Sequence, residues 1–203
     1  MNTKILVVVL LSVAAIAVAR DKSLFAGKTL PVIATPSFEE PLDSTWSIAH
    51  GTWTPEKGVL HVAELPENKH VAVLHHNVPL QAAVVECDFQ FDGPGAFYVG
   101  CDAAGKHVGR VVISPAGMVI AEDSVKPSHT LAKLEFKAKP GQWYHLRVEW
   151  LGDKIQANLE GEELSAQHPF LATPKSRSWL AVGRTAKIRD LQISGDNTGG
   201  ETP

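Results

Sequence analysis

Between Pro140 and Leu164 the chain reads PGQWYHLRVEWLGDKIQANLEGEEL, two runs of alternating apolar and polar residues around Gly152-Asp153. As a two-residue type II′ loop, Gly152-Asp153 pairs Leu151 with Lys154 and so sets every pair above it. Trp150 then meets Ile155, Val148 meets Ala157 and Leu146 meets Leu159 on one face. On the other, Glu149 meets Gln156, Arg147 meets Asn158 and His145 meets Glu160. A slip of one residue would mix the two faces, so the separation argues for a hairpin with one side packed on a second layer.

The same grammar recurs along the chain, with no sustained helical period after the N-terminal apolar run. Strands are expected near 58–64, 70–76, 82–91, 96–102, 107–114, 117–123, 130–138, 143–151, 154–161, 178–183 and 186–194. Ser114-Pro115-Ala116-Gly117 supplies proline and glycine where a turn wants them and predicts a second hairpin. In VVECDFQFDGPGAFYVGC, Val85, Cys87, Phe89 and Phe91 alternate with Glu86, Asp88 and Gln90, a half-buried strand. So many short strands predict an all-β fold, a two-sheet antiparallel β-sandwich rather than a small barrel.

Only two cysteines are present, which excludes four-cysteine zinc sites and disulfide-dense scaffolds. Cys87 and Cys101 lie at nearly equal distances from Asp92-Gly93-Pro94-Gly95, so a hairpin there would bring them together. A Cys87–Cys101 disulfide and two buried free thiols both remain open.

The first residues, MNTKILVVVLLSVAAIAVAR, carry one lysine, an apolar run of about 15 residues and an Ala-Val-Ala ending. The run falls short of the roughly 20 residues a membrane-spanning helix needs, so residues 1–19 read as a secretory signal peptide and the chain as secreted or periplasmic. Residues 20–37 are expected to be a linker or edge strand, 38–194 the sandwich, and 195–203, without an apolar residue, a disordered tail. Losing Lys4 from the 19 basic residues leaves 18 against 22 acidic ones, and they are scattered. Nucleic acid, which is held by clustered Lys and Arg, is therefore not an expected partner. The oligomeric state is left open.

Candidate chemistry is sparse. Glu86-Cys87-Asp88 has the E-x-D form with which laminarinase-like glycosidases begin their catalytic strand, but a retaining mechanism needs a second carboxylate about 5 to 5.5 Å away. The positions that would follow are Gln90 and Phe91, which cannot serve. Of nine histidines, His75 and His76 are adjacent and must point to opposite faces of a strand, and no His-x-His or H-E-x-x-H spacing occurs. A zinc site built from distant strands stays open, but no metal ligands are assigned. There is no G-x-S-x-G elbow and no glycine-rich phosphate loop. Asp102, Glu122, Asp123 and Asp153 fall at strand ends, where calcium could gather oxygen ligands, without any spacing rule to support it. Of the five tryptophans, Trp150 is on the apolar face, while Trp143 and Tyr98 are out of phase with the core and are the exposed rings on which a sugar could stack.

Four segments, STWSIAHGTWTPEKGVLHV, GKHVGRVVISPAG, KPGQWYHLRVEWLGDKIQANLEGEEL and AKIRDLQI, resemble the concanavalin A-like domain of the 3-keto-disaccharide hydrolase type. The resemblance implies a jelly roll of two curved sheets, a concave face that handles carbohydrate, and glycoside hydrolysis or elimination on oxidised sugars. The Asn-Ser-Gly-Ile segment and following arginine of the enzyme-like members are replaced by GAFYVGCDAAG, so no catalytic residue carries over. The site candidates are Glu86, Tyr98, His107, Arg110, Trp143, Arg147, Glu149 and Asn158. The expected function is glycan binding on the concave face; the alternatives are a hydrolase or lyase on 3-keto-glycosides and a structural or interaction domain.

Overall fold

The structure, a computed structural model, describes residues 23–25, 27–103 and 105–196. The expected signal peptide and the chain beyond Asp196 lie outside the described residues. In chain order the strands are β1 (Val32–Ala34), β2 (Trp46–His50), β3 (Thr52–Glu56), β4 (Val59–Ala63), β5 (Ala72–His76), β6 (Ala83–Phe91), β7 (Ala96–Ala103) and β8 (Lys106–Ser114). There follow β9 (Gly117–Glu122), β10 (His129–Leu134), β11 (Trp143–Leu151), β12 (Lys154–Leu159), β13 (Glu162–Gln167), β14 (Arg177–Gly183) and β15 (Thr185–Gly195).

These strands form two antiparallel sheets. One runs β13-β12-β11-β6-β15-β4-β3, with β1 also paired to β15; the other runs β10-β9-β8-β7-β14-β5-β2. All-β sandwich is thus the observed class. The opening hairpin has the expected register, from Leu151 on Lys154 to Leu146 on Leu159. Gly152 has φ of +57°, as the first loop position of a type II′ turn requires. Ser114 pairs with Gly117, which makes β8 and β9 the second expected hairpin.

The interior is filled from both sheets. Trp150 is fully buried with Val148, Leu146, Ile155, Ala157 and Leu159, while Phe89 of β6 stacks on Phe97 of β7 at 4.6 Å between ring centres. That stacking explains one correction. A hairpin across residues 92–95 would have paired β6 with β7, but β6 pairs with β11 and β15 and β7 with β8 and β14. Residues 92–95 carry the chain from one sheet to the other. An arch between facing sheets buries the same alternate residues as a hairpin, so the pattern alone fits both. Facing sheets lie about 10 Å apart, beyond the roughly 7 Å between Cα atoms that a disulfide tolerates. Cys87 and Cys101 are accordingly free, buried thiols, not a disulfide, and burial pushes the Cys101 thiol up to about 12.

Four strands escape the hydrophobic pattern: β1, β2, β3 and β13. Three of them lie at sheet edges, where few side chains need burying, and Pro55 within β3 is tolerated there because an edge strand leaves one row of amides unpaired. Within residues 20–37, Val32 and Ala34 pair with Ser194 and Ile193. Gly195 ends β15 in the interior, and the Asp196 carboxylate accepts the Ala82 amide at 2.6 Å.

Candidate functional site

The sheets turn two outer faces away from the shared core, and the candidate residues divide between them. On β6 and β11 the outward side chains are Glu86, Asp88, Trp143, His145, Arg147 and Glu149, brought level by the pairs Arg147 with Glu86 and His145 with Asp88. This face is closed on itself. Arg147 donates to Glu86 and to Glu149 (2.8 Å for the latter), His145 meets Asp88 at 2.9 Å and Glu86 at 3.2 Å, and Arg189 meets Asp88 at 3.1 Å. Arg189 also lies over the Trp143 ring, 4.2 Å from its centre, in a cation–π contact that occupies the ring.

Glu149 is only 2% exposed because the N-terminal segment covers it: Ser23 Oγ donates to one carboxylate oxygen at 2.7 Å and the Leu24 amide to the other at 2.6 Å. Phe25 completes the cover by packing on Ala82 and Val84. Burial would lower the Arg147 pKa, but the hydrogen bonds and charges of Glu149 and Glu86 more than reverse this and hold it above the ordinary arginine value. Asn158 turns instead to the β12–β13 turn, accepting the Gly161 amide at 2.9 Å.

The opposite face, on the sheet containing β7 and β14, opens into a cavity of about 370 Å³. Tyr98, His107 and Arg110, all expected site residues, line it. They are joined by groups that sequence reasoning did not select: Trp179, Arg177, Asp102, His75, His50 and His70. The floor is a small apolar cluster of Val73, Trp179 and Ala181, flanked by Val71 and Tyr98 and separate from the main core. Trp179 lies against Gly100 of β7, where a Cβ would collide with the indole; only glycine lets the ring sit this close to the strand.

One carboxylate organises the wall. Asp102, buried, accepts Trp179 Nε1 at 2.6 Å and His107 Nδ1 at 2.7 Å on one oxygen, and Arg177 Nε at 2.9 Å on the other. Burial raises its pKa, yet the donors His107, Arg177 and Trp179 outweigh this and hold the carboxyl below its usual value. An ionised carboxylate can only accept, so His107 carries hydrogen on Nδ1. Arg177 also donates toward His75 Nδ1 at 3.4 Å, and burial together with the Arg177 charge holds the His75 pKa below that of free histidine. Arg110 is fixed by Asp123 at 2.6 Å and Ser128 at 2.8 Å. His75 and His76 do point to opposite faces: His75 lines the cavity, and His76 is buried against Trp46 with ring centres 4.6 Å apart.

The four carboxylates considered for calcium do not stand free. Asp102 is held as above, Asp123 by Arg110 and Lys126, Glu122 by Ser124 and His129, and Asp153 by Gln167. Among the described residues no helix is long and apolar enough to cross a membrane.

No protein-family model matches the sequence, and no curated protein is similar to it in sequence. Solved structures are similar in fold. A carbohydrate-binding module (CBM66) from Bacillus subtilis superposes with a TM-score of 0.60 at 15% identity, over 74% of this chain and 96% of that one. A Bacillus subtilis protein of unknown function with a galectin-like fold gives 0.65 at 11% identity, over 83% and 97%. The β-glucanase of Bacillus licheniformis gives 0.58 at 8% identity, over 83% and 100%. At such identities the likeness establishes the architecture, a jelly-roll β-sandwich, and leaves the site to be argued from its own residues.

Proposed function

We propose that this chain is a secreted or periplasmic carbohydrate-binding sandwich that takes glycan in the cavity on the β7–β14 face. The observation that carries the reading is the cavity's floor: an indole and aliphatic cluster outside the main core, with Trp179 lying close against Gly100 and the His107 ring 4.8 Å from it, ringed by Asp102, Arg110 and Arg177. An apolar surface for a pyranose face, with few oriented polar groups for its hydroxyls, is the chemistry of sugar recognition. Similarity of fold to a carbohydrate-binding module supports the reading, and the N-terminal apolar run supports export. Because the face holds a cavity rather than packed side chains, the purely structural alternative is the less favoured one.

A second reading is favoured by one observation. The buried Asp102 orients His107 through Nδ1, leaving Nε2 to accept a proton, with Arg177 beside it to meet developing negative charge. That set suits a hydrolase or lyase acting on 3-keto-glycosides, the reaction type implied by the sequence resemblance.

A glycan array with the purified protein, with and without calcium, followed by product analysis on every glycan bound, separates the two. The binding reading expects retention that Trp179→Ala and Arg177→Ala abolish, with no product formed. Product formation lost in His107→Ala would favour the enzyme, and no retention of any glycan would overturn both.

A further inference from the structure

We infer that Glu122, His129 and His168 form a transition-metal site, selective for zinc, at the sandwich edge away from the cavity floor. This inference does not depend on the glycan reading. Glu122 ends β9, His129 begins β10, and His168 precedes the 3-10 turn Pro169–Ala172 that follows β13. One ligand atom from each lies within 4.8 Å of the others. His129 Nδ1 is 3.2 Å and His168 Nδ1 4.0 Å from the same Glu122 oxygen, and the two imidazoles meet edge to face at 5.7 Å.

The donor set points to a cation. The Phe170 amide donates to His168 Nδ1 at 3.3 Å, which fixes the ring beside the Glu122 carboxylate. That carboxylate is wholly buried and is oriented by both the amide and the hydroxyl of Ser124, the kind of supporting hydrogen bonds that aim a metal ligand. Two imidazoles and one carboxylate suit Zn²⁺, with ligand atoms about 2.0–2.2 Å from the ion and a fourth position left to water. Calcium and magnesium prefer all-oxygen sets and fit poorly.

The position gives the ion a task. β10 and β13 are edge strands of opposite sheets and touch here. A metal held by β9, β10 and the segment after β13 ties the two sheets together across an edge with no hydrogen-bond ladder between them.

The test uses untagged, chelator-stripped protein titrated calorimetrically with ZnCl₂ and, separately, CaCl₂, with Tm read in parallel. Expected are one zinc bound per chain, no calcium, and a Tm rise of about 5 °C with saturating zinc. His129→Ala and His168→Ala should each weaken zinc binding at least about tenfold and remove the Tm rise, with unchanged circular dichroism. His145→Ala, on the closed face, should keep both. Because Glu122→Gln alters a buried group and could unfold the chain, the two histidine variants decide the matter. Zinc binding that is as tight in the His129→Ala/His168→Ala double variant, or that is lost in His145→Ala, would overturn the assignment.

Discussion

The two outer faces of the sandwich carry much the same chemistry and differ in what is done with it. On β6 and β11, arginines, histidines and carboxylates neutralise one another in a lattice, Trp143 is spent on Arg189, and residues 23–25 cover Glu149. On β7 and β14, a comparable set lines a cavity floored by Trp179, which is buried and has the His107 ring 4.8 Å away. Density of polar side chains is therefore a poor guide to a binding face. What separates the faces is an unfilled volume beside an apolar surface, and that depends on whether another part of the chain lies over it.

Several experiments would break or sharpen this contrast. The largest effect sets the scale and belongs to the core between the faces: Trp150→Ala should cost about 3–5 kcal/mol in denaturant unfolding, because a fully buried ring leaves a cavity. Next, Trp179→Ala should lower glycan affinity by about thirtyfold, about 2 kcal/mol, while Trp143→Ala leaves affinity unchanged. Equal losses in the two would mean that both faces bind.

Smaller again, Arg147→Ala should reduce stability by about 1–2 kcal/mol without altering glycan retention, since Glu149 keeps Ser23 Oγ and the Leu24 amide as partners. A loss matching that of Trp150→Ala would show that the lattice, not the core, holds this sheet. The smallest effect is a pH dependence. His75 and His76 have pKa values depressed chiefly by burial, so as pH falls through about 6.5 the unfolded chain takes up protons first. Their contribution is present in full above that pH and declines toward the depressed folded values. Tm should therefore fall between pH 7.5 and 5.0, and less steeply in His75→Gln; identical slopes would remove His75 from the account.

Much of the architecture was readable because alternation is a local signal. The opening hairpin follows from Gly152-Asp153 and the two runs beside it, and the missed strands are those whose side chains have little to bury. Alternation does not say where a strand's other edge goes, and so it left open whether β6 pairs with β7. The site suffered from the same limit. Tyr98 and Asp102 share a face of β7 with Gly100, and a glycine at that phase marks the approach of something large. What approaches is Trp179, 77 positions from Asp102, and no local pattern connects the two. His107 and Arg110 were found because they sit on the neighbouring strand; Arg177 and His75 arrive through the pairing of β14 with β7 and β5.

The last two strands among the described residues also lie inside the sheets: β14 between β7 and β5, β15 between β6 and β4. They act as keystones, so a nascent chain that has not yet delivered residues 177–195 presents unsatisfied backbone rows on β4, β5, β6 and β7 with no partner of its own. Locking of both layers is thereby postponed until residues 177–195 have emerged. Products stopped before Arg177 are thereby left prone to clump.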